Sequence, residues 1–216
     1  MDKFIRVEGV AASFPKPDID TDAIIPASWQ RTLNGNPGEG LFGGWRYDLD
    51  GKEIPEFVLN REPFRKAKII VGGANFGCGS SREFAVWALE RFGIRCVIAP
   101  SFGDIFFENS FKNGLLPIML PLEDVERLHS YLSKAKDPGL IVDLELCEIH
   151  LKDGSVVSFL ISDARRNALL KGLDEIGQTL AFDADIERFQ QQQRSLEPWV
   201  YAPSTVLKPQ IGGVGS

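Results

Sequence analysis

Apolar residues along this 216-residue chain fall in short runs separated by amphipathic stretches, the texture of a sheet whose strands are joined by helices. Residues 4–10 alternate enough for a strand, and Ala23-Ile24-Ile25 is a short apolar segment closed by Pro26. Residues 67–71 predict a strand, 81–92 a helix with Gly93 at its C-terminal cap, and 95–99 the next strand. This is a compact βαβ unit, for which a right-handed crossover is expected. Residues 104–113 form a helix stopped by Gly114, and 115–120 a further strand. Leu122, Val125, Leu128 and Leu132 mark a helix over 122–134, and Pro138-Gly139 breaks the chain. Strands follow at 140–146 and 149–151, and Asp153-Gly154 turns a hairpin into a strand at 155–160. Ser162 or Asp163 then caps a helix running to Lys171. Residues 30–50, rich in Gly, Asn and Pro, predict a long loop anchored by Leu41, Phe42 and Trp45. Beyond residue 180 the texture changes to a polar helix at 183–193 and a Pro- and Gly-containing tail. The expected division is a domain over 1–180 and a C-terminal segment over 181–216.

Net charge is −6 with both signs interspersed, which argues against a nucleic-acid-binding surface. No apolar run approaches the roughly 20 residues needed to span a membrane. The start, Met1-Asp2-Lys3-Phe4, lacks a basic segment followed by an apolar one, so a cytoplasmic location is expected. Cys78, Cys96 and Cys147 are scattered and form no Cys-x-x-Cys pair, and the histidines are His129 and His150. Neither a zinc site nor a complete iron–sulfur ligand set is expected from this chain.

The candidate chemistry lies in Gly72-Gly73-Ala74-Asn75-Phe76-Gly77-Cys78-Gly79-Ser80-Ser81-Arg82-Glu83, where a strand feeds a glycine-rich turn and the turn opens a helix. Glycines allow backbone N–H groups of Gly77, Cys78 and Gly79 to converge on an anion, and a helix start adds partial positive charge. Ser80-Ser81-Arg82-Glu83 equally fits a capping box, in which a serine caps the helix and Glu83 reaches back. The segment fits neither the nucleotide P-loop, nor the dinucleotide fingerprint, nor the hydrolase elbow. The cluster Asp18, Asp20, Asp22 fails as a calcium loop, because Ala23 and Trp29 stand where an EF-hand needs Gly and Glu. A solvated turn with Asp or Thr capping the next element is the alternative there.

Taken together, Asn75 to Glu83 with Ala85 and Trp87-Ala88-Leu89, the segment Asp20-Thr21-Asp22-Ala23-Ile24-Ile25-Pro26, and Trp45-Arg46-Tyr47 resemble a known family. So do Phe57-Val58-Leu59-Asn60, the block from Ile98 to Pro117, and Gly172-Leu173-Asp174-Glu175-Ile176-Gly177. The family is that of the small subunits of 3-isopropylmalate dehydratase (isopropylmalate isomerase), stand-alone versions of the swivelling domain of aconitase. The resemblance implies an α/β fold, a single swivelling β/β/α domain with a mixed sheet or barrel and flanking helices. It implies a dehydration–rehydration of a small hydroxy acid, with a [4Fe–4S] cluster held by a separate large subunit and none bound here. The partnership would be a heterodimer or a higher assembly.

Residue by residue, the family's serine base falls on Ser80 and an active-site aspartate on Asp22. Ser81, Arg82, Arg31 and Thr32 fall on substrate-contacting positions. Arg82 suits a bidentate grip on a carboxylate, or else pairs with Glu83 or Glu90 on the surface. Phe84 stands where the family usually has histidine, which leaves open a related substrate such as a methylmalate, dimethylmalate or homoaconitate type. A non-catalytic anion-binding or assembly module, with Ser80 merely a cap, is the third reading.

Overall fold

The computed structural model describes residues 1–30, 35–80, 82–180 and 182–201. In chain order the elements are β1 (Arg6–Phe14), α1 (Thr21–Ile24), α2 (Ala27–Gln30), α3 (Gly43–Arg46), β2 (Ile69–Gly72), α4 (Glu83–Phe92) and β3 (Cys96–Ala99). There follow α5 (Asp104–Lys112), β4 (Leu116–Met119), α6 (Leu122–Lys134), β5 (Gly139–Asp143), β6 (Glu148–Leu151), β7 (Val156–Ser158), α7 (Asp163–Lys171), α8 (Glu175–Leu180) and α9 (Asp183–Leu196). One compact unit spans Met1–Glu175, and a second begins at Ile176 and contains α9.

The strands make one mixed seven-stranded sheet in the order β4-β3-β2-β1-β5-β6-β7. β1 joins its two halves. Its first residues, Arg6 to Val10, pair antiparallel with β5, and its last, Ala11 to Phe14, pair parallel with β2. The expected strand over 4–10 therefore covers only the antiparallel half. The extension Ala11-Ala12-Ser13-Phe14 has a weak pattern of its own, and β2 supplies the ladder that keeps it extended. β2 and β3 are buried on both faces, as expected of parallel strands covered by helices.

Alternation sorts the side chains into two cores. Ala12, Ile70, Val97 and Ala99 face one layer with Ala85, Val86 and Leu89 of α4. Ala11, Ile69, Val71, Cys96 and Ile98 face the other, with Val125, Leu128 and Leu132 of α6. The 122–134 helix occurs as expected.

Several boundaries move for local reasons. Ala23 and Ile24 belong to a helical turn, α1, because the Asp20 carboxylate accepts the Ala23 N–H at 2.7 Å and caps it. The strand expected to reach residue 146 stops at Asp143, whose carboxylate accepts the N–H groups of Glu145 and Leu146 and turns the chain. Within the expected loop over 30–50, Leu41 and Phe42 are fully buried, and α3 ends on the buried Arg46. Arg46 Nε donates to Asn60 Oδ1 at 3.1 Å, while Asn60 Nδ2 donates to the carbonyls of Arg46 and Ile54. That cross-brace satisfies the buried guanidinium and ties the excursion back to the core.

Candidate active site

Beyond the carboxyl ends of β1, β2 and β3 the connecting loops continue the order of the strands. Asp18 N–H donates to the Ala74 carbonyl at 2.9 Å, Gly77 N–H to Ile19 at 2.7 Å, and Thr21 N–H to Cys78 at 3.0 Å. On the other side, Phe76 N–H donates to Ser101 at 3.0 Å and Gly103 N–H to Phe76 at 2.9 Å. The glycine-rich loop is thus laced between the segments that follow β1 and β3. This is where an open parallel sheet places its sites. Gly77 has a φ of +73°, and a Cβ there would lie 2.2 Å from the Phe106 ring, so only glycine fits. Asn75, also left-handed at +57°, is held by Nδ2 donating to Asp18 Oδ1 at 2.7 Å.

Ser80 leaves this lacing exposed. Its carbonyl accepts the Thr21 hydroxyl at 3.0 Å and the Arg82 N–H at 2.7 Å, while its Oγ has no partner among the described residues. Ser80 lines a cleft of about 350 Å³ together with Asn75, Cys78, Asp104, Ile105 and Phe106. The lining combines a hydroxyl, an amide and a carboxylate with the apolar side chains of Phe102, Ile105 and Phe106. No cation lines the cleft among the described residues. Arg82 donates instead to the Asp22 carboxylate, one residue past Thr21, so α1 touches the loop at both Ser80 and Arg82. The surface pairings of Arg82 with Glu83 or Glu90 do not form.

The capping box does not form either. α4 starts at Glu83 rather than at residue 81, with Arg82 as its N-terminal cap and no side-chain cap bond. Glu83 does not reach back, because Asn113 Nδ2 donates to it at 2.9 Å and Trp87 Nε1 donates to Asn113 Oδ1 at 2.9 Å. Of the three amides expected to face an anion, that of Gly77 is taken by the Ile19 carbonyl. Burial, with the carboxylates of Asp18 and Asp20 adding to it, pushes the Cys78 thiol above its ordinary range, so it is a poor nucleophile at neutral pH. Arg31, Thr32 and Ser81 lie outside the described residues.

Sequence reasoning did not single out Thr21, Asp104 or Ile105. Thr21 carried a weak signal, a hydroxyl between two aspartates at a helix start. The other two face the cleft only because β3 and β2 are neighbours.

Cys96 is buried in β3, Cys147 lies between β5 and β6, and Cys78 is in the loop, so the three thiols do not fit a shared iron–sulfur ligand set. Among the described residues no three His, Cys, Asp or Glu side chains group to hold a metal ion.

The Aconitase C-terminal domain family matches residues 1–123. The 3-isopropylmalate dehydratase small subunit of Roseobacter denitrificans is 49% identical over 201 residues, 93% of this chain and all of that protein. The chain belongs to the 3-isopropylmalate dehydratase small-subunit family. A small subunit from Parvibaculum lavamentivorans is 48% identical over the same share of both chains. Among solved structures, a 3-isopropylmalate dehydratase from Methanocaldococcus jannaschii superposes with a TM-score of 0.60 at 27% identity, covering 88% of this chain and 99% of its own. The expected fold class is therefore met, with the choice between sheet and barrel resolved as a mixed seven-stranded sheet. The departure at Phe84 is placed as well. Its ring lies 4.8 Å from that of Trp87 on α4, and it is not among the residues lining the Ser80 cleft. Phe84 is 37% exposed on α4.

Proposed function

We propose that Ser80 is the proton-transferring group of a two-subunit hydro-lyase. As a 3-isopropylmalate dehydratase small subunit, the chain serves the interconversion of 2-isopropylmalate and 3-isopropylmalate through isopropylmaleate, in leucine biosynthesis. The observation that carries the Ser80 assignment is its exposed side chain, without a hydrogen-bond partner among the described residues, at a cleft built by the loop after β2 and the loop and helix start after β3. An ordinary serine is a weak base, and an alkoxide needs amides and a cation around it to form near neutral pH. Gly79 and Arg82, on either side of Ser80 in the loop, bring an amide and a guanidinium to this stretch of chain.

In the forward direction the C–H bond next to the hydroxyl-bearing carbon breaks and its proton passes to Ser80 Oγ. The electron pair forms the alkene as the hydroxyl leaves. In the rehydration that completes the isomerisation, Ser80 gives the proton to the carbon that lost the hydroxyl, and a hydroxyl adds to the carbon that lost the proton. An iron–sulfur cluster on the large subunit would supply the Lewis acid for the hydroxyl. Arg82, oriented by Asp22, would grip one substrate carboxylate, with Ser81, Arg31 and Thr32 completing this chain's contribution. Among the described residues the cleft lining brings a carboxylate, Asp104, and no cation, so the carboxylates of a dianionic substrate would rely on Arg82 and Arg31 of this chain and on the partner. The complex would work in the cytoplasm; no helix among the described residues is long and apolar enough to cross a membrane.

The test is anaerobic reconstitution with an iron–sulfur large subunit, assayed on 2-isopropylmalate. The isolated chain should be colourless and inactive. In the complex, Ser80→Ala should lower kcat at least about a hundredfold, and Ser80→Gly should do the same. Near-normal turnover by both variants would return Ser80 to a structural role.

A further inference from the structure

Thr21 lies in the helical turn α1, is only 2% exposed, and so has no surface to offer a substrate. Both of its hydrogen-bond donors nevertheless point at the glycine-rich loop. Its N–H donates to the Cys78 carbonyl at 3.0 Å and its Oγ1 to the Ser80 carbonyl at 3.0 Å. These two bonds bracket Gly79, the residue at φ +91° whose backbone is the softest joint next to Ser80. The Ser80 side chain itself is exposed and makes no hydrogen bond among the described residues.

Resting on the reading of Ser80 as the proton-transferring group, we propose that Thr21 is its positioning residue. The hydroxyl of Thr21 pins the Ser80 carbonyl, which sets the peptide plane after Ser80 and with it the direction in which Oγ enters the cleft. The physical need is plain: general base catalysis requires the base within hydrogen-bond reach of the proton it takes, and small displacements are costly. A loop with left-handed residues at 75, 77 and 79 cannot supply that precision alone. The neighbouring Asp22 acts in parallel by holding Arg82, so one short turn sets both the serine and the arginine.

The Ser80 carbonyl also accepts the Arg82 N–H, so removing the Thr21 hydroxyl does not orphan it. Loss of position is therefore separable from loss of fold. The experiment uses the reconstituted two-subunit enzyme with Thr21→Val, which keeps shape without the hydroxyl, and Thr21→Ser, which keeps the hydroxyl. Thr21→Val should lower kcat about tenfold or more with KM changed by less than about threefold. Thr21→Ser should recover kcat to within about threefold. In a Ser80→Ala background Thr21→Val should have no further effect on residual turnover, because a positioning residue has nothing left to position.

Full kcat in Thr21→Val, beside an inactive Ser80→Ala, would overturn the inference and leave the Ser80 reading standing. So would a loss in the Ser80→Ala background equal to that in the wild type, which is the signature of a structural role. Full activity of Ser80→Ala would instead overturn both. Should Thr21→Val not fold, Thr21→Ala carries the same comparison, and a failure of Thr21→Ser to restore activity overturns the inference on its own.

Discussion

Arg82 meets Asp22 across 60 residues of sequence, with side chains 30% and 56% exposed. An ion pair this open to water contributes at most about 1 kcal/mol to stability. The value of the pair is geometric, since a planar guanidinium held from one side presents its remaining N–H groups in a fixed direction. Arg82→Lys should therefore leave the melting temperature nearly unchanged while lowering kcat/KM about tenfold or more in the reconstituted enzyme. Across substrates the loss should follow the carboxylates rather than the alkyl group. An unchanged kcat/KM for every substrate would place Arg82 outside the site. At this scale the glycine-rich loop was legible in the chain, because Gly77 and Gly79 take left-handed backbone that other residues avoid. The partner of Arg82 was not, because no local rule joins residue 82 to residue 22.

At the scale of elements, α4 and α5 are tied by Asn113, which accepts from Trp87 Nε1 and donates to Glu83 and to the Asn109 carbonyl. This junction takes Glu83 out of the capping box that its spacing predicts. Asn113→Ala would leave the indole N–H and a carboxylate oxygen without partners in a half-buried place, at a cost of about 1–2 kcal/mol. Urea denaturation should show it as a shifted midpoint with an unchanged slope. If stability were unaffected, water would be replacing Asn113 fully and the junction would not hold the start of α4. The longer helices α4 to α7 and α9 were legible from the sequence, whereas the single turns α1, α2 and α3 were not. The first residue of α4 was not either, since capping depends on which side chain arrives from elsewhere in the fold.

For the molecule as a whole, His129 links the layers of the main unit. It sits on α6, its Nδ1 lies 2.8 Å from Ser13 Oγ on β1, and the Gly72 carbonyl at the end of β2 acts on its ring. Burial lowers its pKa, with the Gly72 carbonyl and Glu126 acting in the opposite direction. The unfolded imidazole titrates near pH 6.5. Below that value the unfolded chain takes up the proton before the folded one does. This contribution to stability is therefore intact above about pH 6.5 and is lost as pH falls below it. His129→Gln should flatten the fall in stability between about pH 6.5 and 5. A wild-type slope equal to that of the variant, measured by denaturation across that range, would show that His129 protonates equally in both states.

By itself the chain determined most of its strands, its longer helices and the glycine-rich loop that carries Ser80. Those features depend on side-chain period and on backbone freedom, both of which are written locally. Tertiary structure decided that β1 serves two neighbours, antiparallel with β5 and parallel with β2, and that Thr21 and Asp22 face Ser80 and Arg82. It also decided that Asp104 and Ile105 share a cleft with Ser80. These are meetings of segments far apart in the chain, and they exist only once the parallel strands lie side by side and stack their loops at one end of the sheet.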